Sequence, residues 1–158
     1  MNSPSDTVRI RPVSISDLDV FFRHQQDTEA NDLAKVYPRN RADFDLHWAR
    51  ILNNPAIVAR TIECGGVVIG NINCFRVDDE THIGYWIGRE FWGKGMTTRA
   101  LGLFVSEVHI RPLIAHVADD NTASIRVLEK CGFHHIGSCD EPGDDRFMAC
   151  TELIYQLG

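Results

Sequence analysis

Apolar and polar positions change period several times along the chain, and each change marks an element. Val8 to Pro12 alternate apolar and charged residues, the two-residue period of a strand. Leu18, Phe21 and Phe22 then form the stripe of a helix that Ser14 or Ser16 caps, with Asp17 and Asp19 in the first turn, where a carboxylate meets the positive helix end. The stretch around Tyr37-Pro38 is polar and reads as a connection. Asn40 with Asp43 resembles a cap opening a second helix that buries Phe44, Trp48, Ile51 and Leu52, with His47 as a packing residue at the stripe's edge. Residues 57–64 and 67–76 read as two strands joined by Gly65-Gly66, a two-residue hairpin signal, and Asp78-Asp79 marks the next turn.

From 81 to 87 the residues are β-branched or aromatic except His82 and Gly84, as in a strand buried on both faces. Leu101, Phe104, Val105 and Val108 have the spacing of one helical face, and Pro112 stops any continuation. Residues 113–118 form a short strand, and Asn121 caps a helix that turns Ile125 and Leu128 inward and ends at Gly132. Two strands, 133–139 and 147–157, close the chain around the acidic turn 140–145. The order is β-α-α-β-β-β-α-β-α-β-β, an α/β chain with a mixed sheet. A length of 158 residues suits one domain, 1–158, with 1–7 as a flexible leader.

Candidate chemistry gathers between the central strand and its helix, at Gly93-Lys94-Gly95. Glycines let the backbone approach a ligand, and the following helix points its unpaired N–H groups into the turn, so the stretch suits an anion. Gly88, Gly93 and Lys94 match the first part of a P-loop, G-x-x-x-x-G-K, but Gly95 stands where a Ser or Thr would hold magnesium. A plain surface turn is the other reading of so short a motif. Trp92-Gly93-Lys94-Gly95-Met96-Thr97, aligned on Gly95, resembles the acetyl-CoA loop R/Q-x-x-G-x-G/A of the GNAT N-acetyltransferases, departing at Trp92 and Thr97.

The wider run IGYWIGREFWGKGMTTRAL resembles the Rim-type branch of that family, the RimJ/RimL-like ribosomal-protein N-terminal acetyltransferases. Asn121-Thr122-Ala123-Ser124 and then Glu129-Lys130-Cys131-Gly132-Phe133 look like the same branch's N-x-x-S and E-K-x-G-F signature. The close resemblance covers about residues 82 to 135, and the element order extends it over the chain.

The resemblance implies the GNAT fold, in which the fourth and fifth strands, here 81–87 and 113–118, splay apart to admit the pantetheine arm of acetyl-CoA. It implies that backbone groups of Tyr85 and Ile87, with Trp86 between them, line that arm, an amide near Ile87 facing the thioester oxygen. Trp92 and the amides of Gly93, Lys94, Gly95, Met96, Thr97 and Thr98 would hold the pyrophosphate. Asn121 would contact the cofactor, and Ser124 would lie near the sulfur and pass a proton to the thiolate. As helix-start residues, Asn121 and Ser124 also have a sufficient structural role. His82 occupies the place where the branch often carries Glu before I-G-Y, and with an ordinary value of about 6.5 an imidazole accepts a proton at neutral pH. Glu80 is the rival base, and Glu141 with its acidic neighbours would attract a cationic acceptor.

Acyl transfer to an amine needs an aligned thioester, a neutral amine and a stabilised oxyanion. An α-amine of pKa about 7.8 costs about 1 kcal/mol to deprotonate at pH 7, and a lysine at about 10.4 costs about 4.6. A site with one base therefore suits a protein N-terminus better, with a small amine as the other acceptor. The expected function is direct transfer of acetyl from acetyl-CoA to a primary amine in a ternary complex. The alternatives are a protein that binds acetyl-CoA without turnover, and a P-loop nucleotide binder.

Composition narrows the classes. Sixteen Lys and Arg against 22 Asp and Glu give a net charge of −6, which argues against binding nucleic acid by phosphate neutralisation. No apolar run reaches membrane-spanning length, and the first residues lack a signal-peptide core, so a cytoplasmic protein, monomer or homodimer, is expected. Five cysteines without a C-x-x-C pair suit reduced thiols. Cys131, His134, His135 and Cys139 have zinc-like spacing, but a helix end, the Gly132 cap and a strand would scatter them, so no metal is expected.

Overall fold

A computed structural model describes residues 7–158, so residues 1–6 of the expected leader lie outside the described residues. Seven strands form one mixed sheet: β1 (Val8–Pro12), β2 (Val58–Cys64), β3 (Val67–Val77), β4 (Glu80–Ile87), β5 (Leu113–Ala118), β6 (His134–Glu141) and β7 (Cys150–Leu157). Their order across the sheet is β1-β2-β3-β4-β5-β7-β6. The helices are α1 (Leu18–His24), α2 (Thr28–Ala34), α3 (Arg41–Asn53), α4 (Met96–Glu107) and α5 (Thr122–Lys130). No described helix is long and apolar enough to cross a membrane.

The mixed α/β reading holds, with four local corrections. α2 falls in the stretch read as a connection. Asp27 caps it, accepting from the amides of Glu29 and Ala30, which the polar sequence between Asp27 and Tyr37 had masked. Asp17 is not a surface first-turn residue. It is 3% exposed, and its carboxylate accepts from Arg11, the Ser14 amide and the Thr61 hydroxyl. Burial pushes that carboxyl up, but these donors outweigh it and hold it below the usual range. Leu52, expected in the core, is exposed, since the α3 stripe turns on Phe44 and Trp48. Phe147 lies before β7 and pairs only with Val36 in an isolated bridge.

Two apolar clusters flank the sheet. Ile72, Ile83 and Ile87 pack with Leu101 and Phe104 of α4 and Leu128 of α5. Phe21, Phe44 and Trp48 from α1 and α3 form the other cluster, the Phe21 and Trp48 rings 5.1 Å apart. β3 and β4 are in continuous register from Gly70↔Ile87 to Val77↔Glu80. β4 and β5 run parallel but pair only at Thr81↔Leu113 and His82↔Ile114, so beyond His82 the sheet opens into a fork.

Candidate active site

The fork widens toward the glycine loop. After β4 the chain makes a short 3-10 turn, Arg89–Phe91, and reaches α4 through Gly93 and Gly95, at φ 75° and 77°. Only glycine takes that left-handed conformation without steric cost, and Gly95 is the residue that opens α4. Trp92, the departure from the family's Arg or Gln, donates its indole N–H to the Ile87 carbonyl at 2.9 Å and ties the loop to the end of β4. Gly95 offers no hydroxyl where a P-loop would need one for magnesium.

A cavity of about 460 Å³ runs from this loop into the fork. β4 lines it with Tyr85, Trp86 and Ile87; the loop and α4 with Trp92, Gly93, Gly95, Thr97 and Thr98; and α5 with Asn121 and Ser124. Those ten residues were expected from the sequence. Lys94 is exposed and Met96 turns its side chain into the core, so neither borders the cavity with its side chain. A second hollow of about 760 Å³, bordered by Val20, His24, Asp27 and Arg89, holds none of the expected residues, and Arg89 is already paired with Asp27 at 2.7 Å and with Glu29.

β4 has no bulge, so its side chains alternate across the sheet. Tyr85 faces α5, its hydroxyl 2.7 Å from that of Ser124. Tyr85 borders the cavity; burial pushes its phenol up to about 12, and the bond to Ser124 opposes this only in part. Asn121 also serves its structural role, its side-chain oxygen accepting from the Ser124 amide at 3.4 Å.

On the other face of β4, Trp86 donates its indole N–H to the His24 carbonyl at 3.2 Å. His82 stands at the closed end of the fork and, with Glu80, is not part of the cavity lining. Its Nε2 is 3.3 Å from Glu80, and its ring lies 6.1 Å from Phe75 and 5.0 Å from His116 of β5. His116 Nδ1 in turn is 3.3 Å from the Glu152 carboxylate, which holds this imidazole above its ordinary value against the opposing effect of burial. Glu141 accepts from the Gly143 amide at 3.1 Å, inside its own turn.

Residues 7–134 match the family model of the acetyltransferase (GNAT) domain. The chain is a GNAT acetyltransferase. It is 22% identical over 146 residues to the uncharacterized N-acetyltransferase p20 of Bacillus licheniformis, covering 84% of this chain and 82% of that protein. Mycobacterium smegmatis RimJ, solved with CoA-disulfide, superposes with a TM-score of 0.75 at 22% identity over 98% of this chain and 83% of that one. The spermidine N-acetyltransferase of Vibrio cholerae, solved with CoA and spermine, does so with 0.80 at 16% identity over 95% of each. At these identities the structural likenesses carry the fold.

Several cavity residues of this acetyltransferase escaped the sequence reading. Ala30, Leu33 and Ala34 of α2 form one wall, and their i, i+3, i+4 spacing was a usable helical signal. Arg126 and Lys130 of α5 border the cavity as well, one turn apart and on the side of Asn121, which only the helix face reveals. His116 reaches His82, and Glu152 reaches His116, through strand order, which no local pattern encodes.

Proposed function

We propose that the protein transfers acetyl from acetyl-CoA to a primary amine by direct attack, with a protein N-terminal α-amine as the favoured acceptor. The observation that carries this reading is the single cavity joining the glycine loop, the β4–β5 fork and the Tyr85–Ser124 pair. The loop amides and the start of α4 hold the pyrophosphate, and the pantetheine arm fills the fork along Tyr85 and Ile87. Asn121 contacts the cofactor, and Arg126 and Lys130 add positive charge beside it. The fork narrows toward His82, so the acyl end points there. The amine attacks from the face of His82, with Glu80 beside it, and sheds its proton to that side. The thiolate leaves on the opposite face, where Ser124 donates to the sulfur. A phenol that stays protonated is free to donate to Ser124 and turn the serine's own hydrogen toward the sulfur.

A polyamine is the second acceptor, favoured by the acidic turn that follows β6; a solved neighbour is by name a spermidine acetyltransferase and another a RimJ protein. The first experiment is a thermal melt with acetyl-CoA, CoA or ATP with magnesium. At a hundredfold excess over Kd a native-state ligand adds about 2.7 kcal/mol, which raises Tm by roughly 5 to 10 °C. We expect the rise with both CoA ligands and none with ATP. Thiol release is then followed with N-terminal peptides and with spermidine. A shift with acetyl-CoA but no release on any amine would replace the enzyme by a non-catalytic acetyl-CoA binder.

A further inference from the structure

The four residues whose spacing hints at zinc in the sequence do go separate ways. The Cys131 thiol points to the Thr98 carbonyl at 3.5 Å, and His135 lies against the Tyr155 ring at 5.4 Å. Cys139, by contrast, joins two residues far from it in sequence. His116 Nδ1, Cys139 Sγ and a Glu152 oxygen all lie within 4.8 Å of one another. We propose that His116, Cys139 and Glu152 bind one zinc-class divalent ion on the face of the sheet that carries His82.

Geometry, ligand type and local charge support the site independently. Zinc bonds of about 2.0 to 2.3 Å at tetrahedral angles separate neighbouring ligand atoms by about 3.4 to 3.6 Å. His116 Nδ1 and a Glu152 oxygen are 3.3 Å apart, and the Cys139 sulfur is 4.0 Å from that oxygen, so only the sulfur has to move in. The sheet fixes all three. Cys139 and Glu152 are direct cross-strand partners, and His116 lies two residues before Ala118, which opposes Glu152 on the other side. One sulfur, one imidazole and one carboxylate select zinc or cobalt over magnesium or calcium, which prefer all-oxygen sites.

The surroundings are anionic. Asp140 and Glu141 act on Cys139, Glu80 acts on His116, and no lysine or arginine is among the groups that act on either. Binding converts the Cys139 thiol to a metal-bound thiolate and releases one proton to solvent. Three protein ligands leave a coordination position for water, and the His82 ring lies 5.0 Å from that of His116. With one thiolate and one carboxylate the bound ion is net neutral, so it cancels the negative charge that would draw a cationic amine toward His82, and zinc lowers turnover. That consequence alone rests on the acetyl-transfer reading.

The test is a cobalt titration of the chelator-treated protein, read from the thiolate-to-cobalt charge-transfer band in the near ultraviolet. The band should appear at one equivalent and be displaced by zinc. It should vanish in Cys139→Ser and persist in Cys64→Ser, on β2. His116→Ala and Glu152→Gln should each weaken zinc by about tenfold or more, with circular dichroism verifying that they fold. Absence of the band, or a band that survives Cys139→Ser, overturns the proposal and leaves a His116–Glu152 ion pair with a thiol beside it. No step of the assay needs acetyl-CoA, so it fails separately from the acetyl-transfer reading.

Discussion

The two faces of β4 are built in opposite ways. On the α5 face the pieces are consecutive in sequence: a strand, a loop with Gly93 and Gly95 in left-handed conformation, and two helix starts. Backbone geometry supplies most of that face, and Trp92, which departs from the family's Arg or Gln, donates a bond to the Ile87 carbonyl. On the opposite face His82, His116, Glu152 and Cys139 come from four strands and meet only through sheet order. Function carried by backbone resists substitution of side chains and yields to a change of φ. Function carried by side chains in register does the reverse.

Damage to the β3–β4 pairing that holds β4 in place should remove both faces at once. A Cβ on Gly70 would stand 2.2 Å from the Trp86 carbonyl oxygen, and backbone cannot yield there without unpairing β3 from β4. Gly70→Val is therefore expected to cost more than about 4 kcal/mol, the range in which a marginal domain unfolds. A melt followed by circular dichroism should show no cooperative transition. A normal melt would mean that the two strands can part locally, and the comparison of faces would lose its common frame.

The next effect should touch the α5 face alone. Gly95→Val puts a β-branched residue at φ 77°, a strain of about 1 to 3 kcal/mol concentrated at the anion-holding turn. Acetyl-CoA affinity should fall about tenfold to a hundredfold, while thermal stability without ligand falls by only a few degrees. Equal loss of affinity in Lys94→Ala, whose side chain is exposed outside the cavity, would shift the burden from backbone to charge.

How much of this was legible follows the same divide. The glycine loop, the Asn121 and Ser124 helix start and the strand that precedes them were readable because turn chemistry, capping and period are local. α2 was missed because its stripe is short and partly alanine, even though Asp27 caps it and Ala30, Leu33 and Ala34 line the cavity. The sequence placed Tyr85 in the site through its backbone only. Its hydroxyl contact with Ser124 spans 39 residues and depends on β4 and α5 packing together. His116 and Glu152 were invisible for the same reason, since the crossing from β5 to β7 before β6 has no local signature.

On the His82 face, His82→Ala should lower turnover and leave acetyl-CoA affinity within about twofold, because His82 lies outside the cavity lining. The size of the loss distinguishes acceptors. A lysine-like amine that needs about 4.6 kcal/mol of deprotonation at pH 7 should lose about a hundredfold, whereas an α-amine that needs about 1 should lose severalfold. Equal turnover on both would remove His82 from the proton's path and leave Glu80, 3.3 Å from it, as the group to test.

The smallest effect should come from one hydroxyl on the α5 face. Tyr85→Phe keeps the ring against the cavity and removes only the partner 2.7 Å from the Ser124 hydroxyl. A single neutral hydrogen bond is worth about 0.5 to 1.5 kcal/mol, so turnover should fall about two- to tenfold with acetyl-CoA affinity unchanged. If the phenol acts by turning the serine's hydrogen toward the sulfur, the loss must travel through Ser124. Ser124→Ala should then cost less in the Tyr85→Phe background than in the wild type, and the double variant should equal Ser124→Ala alone. Losses that simply multiply would mean that the two hydroxyls act independently, with Tyr85 reaching the reacting atoms by its own route.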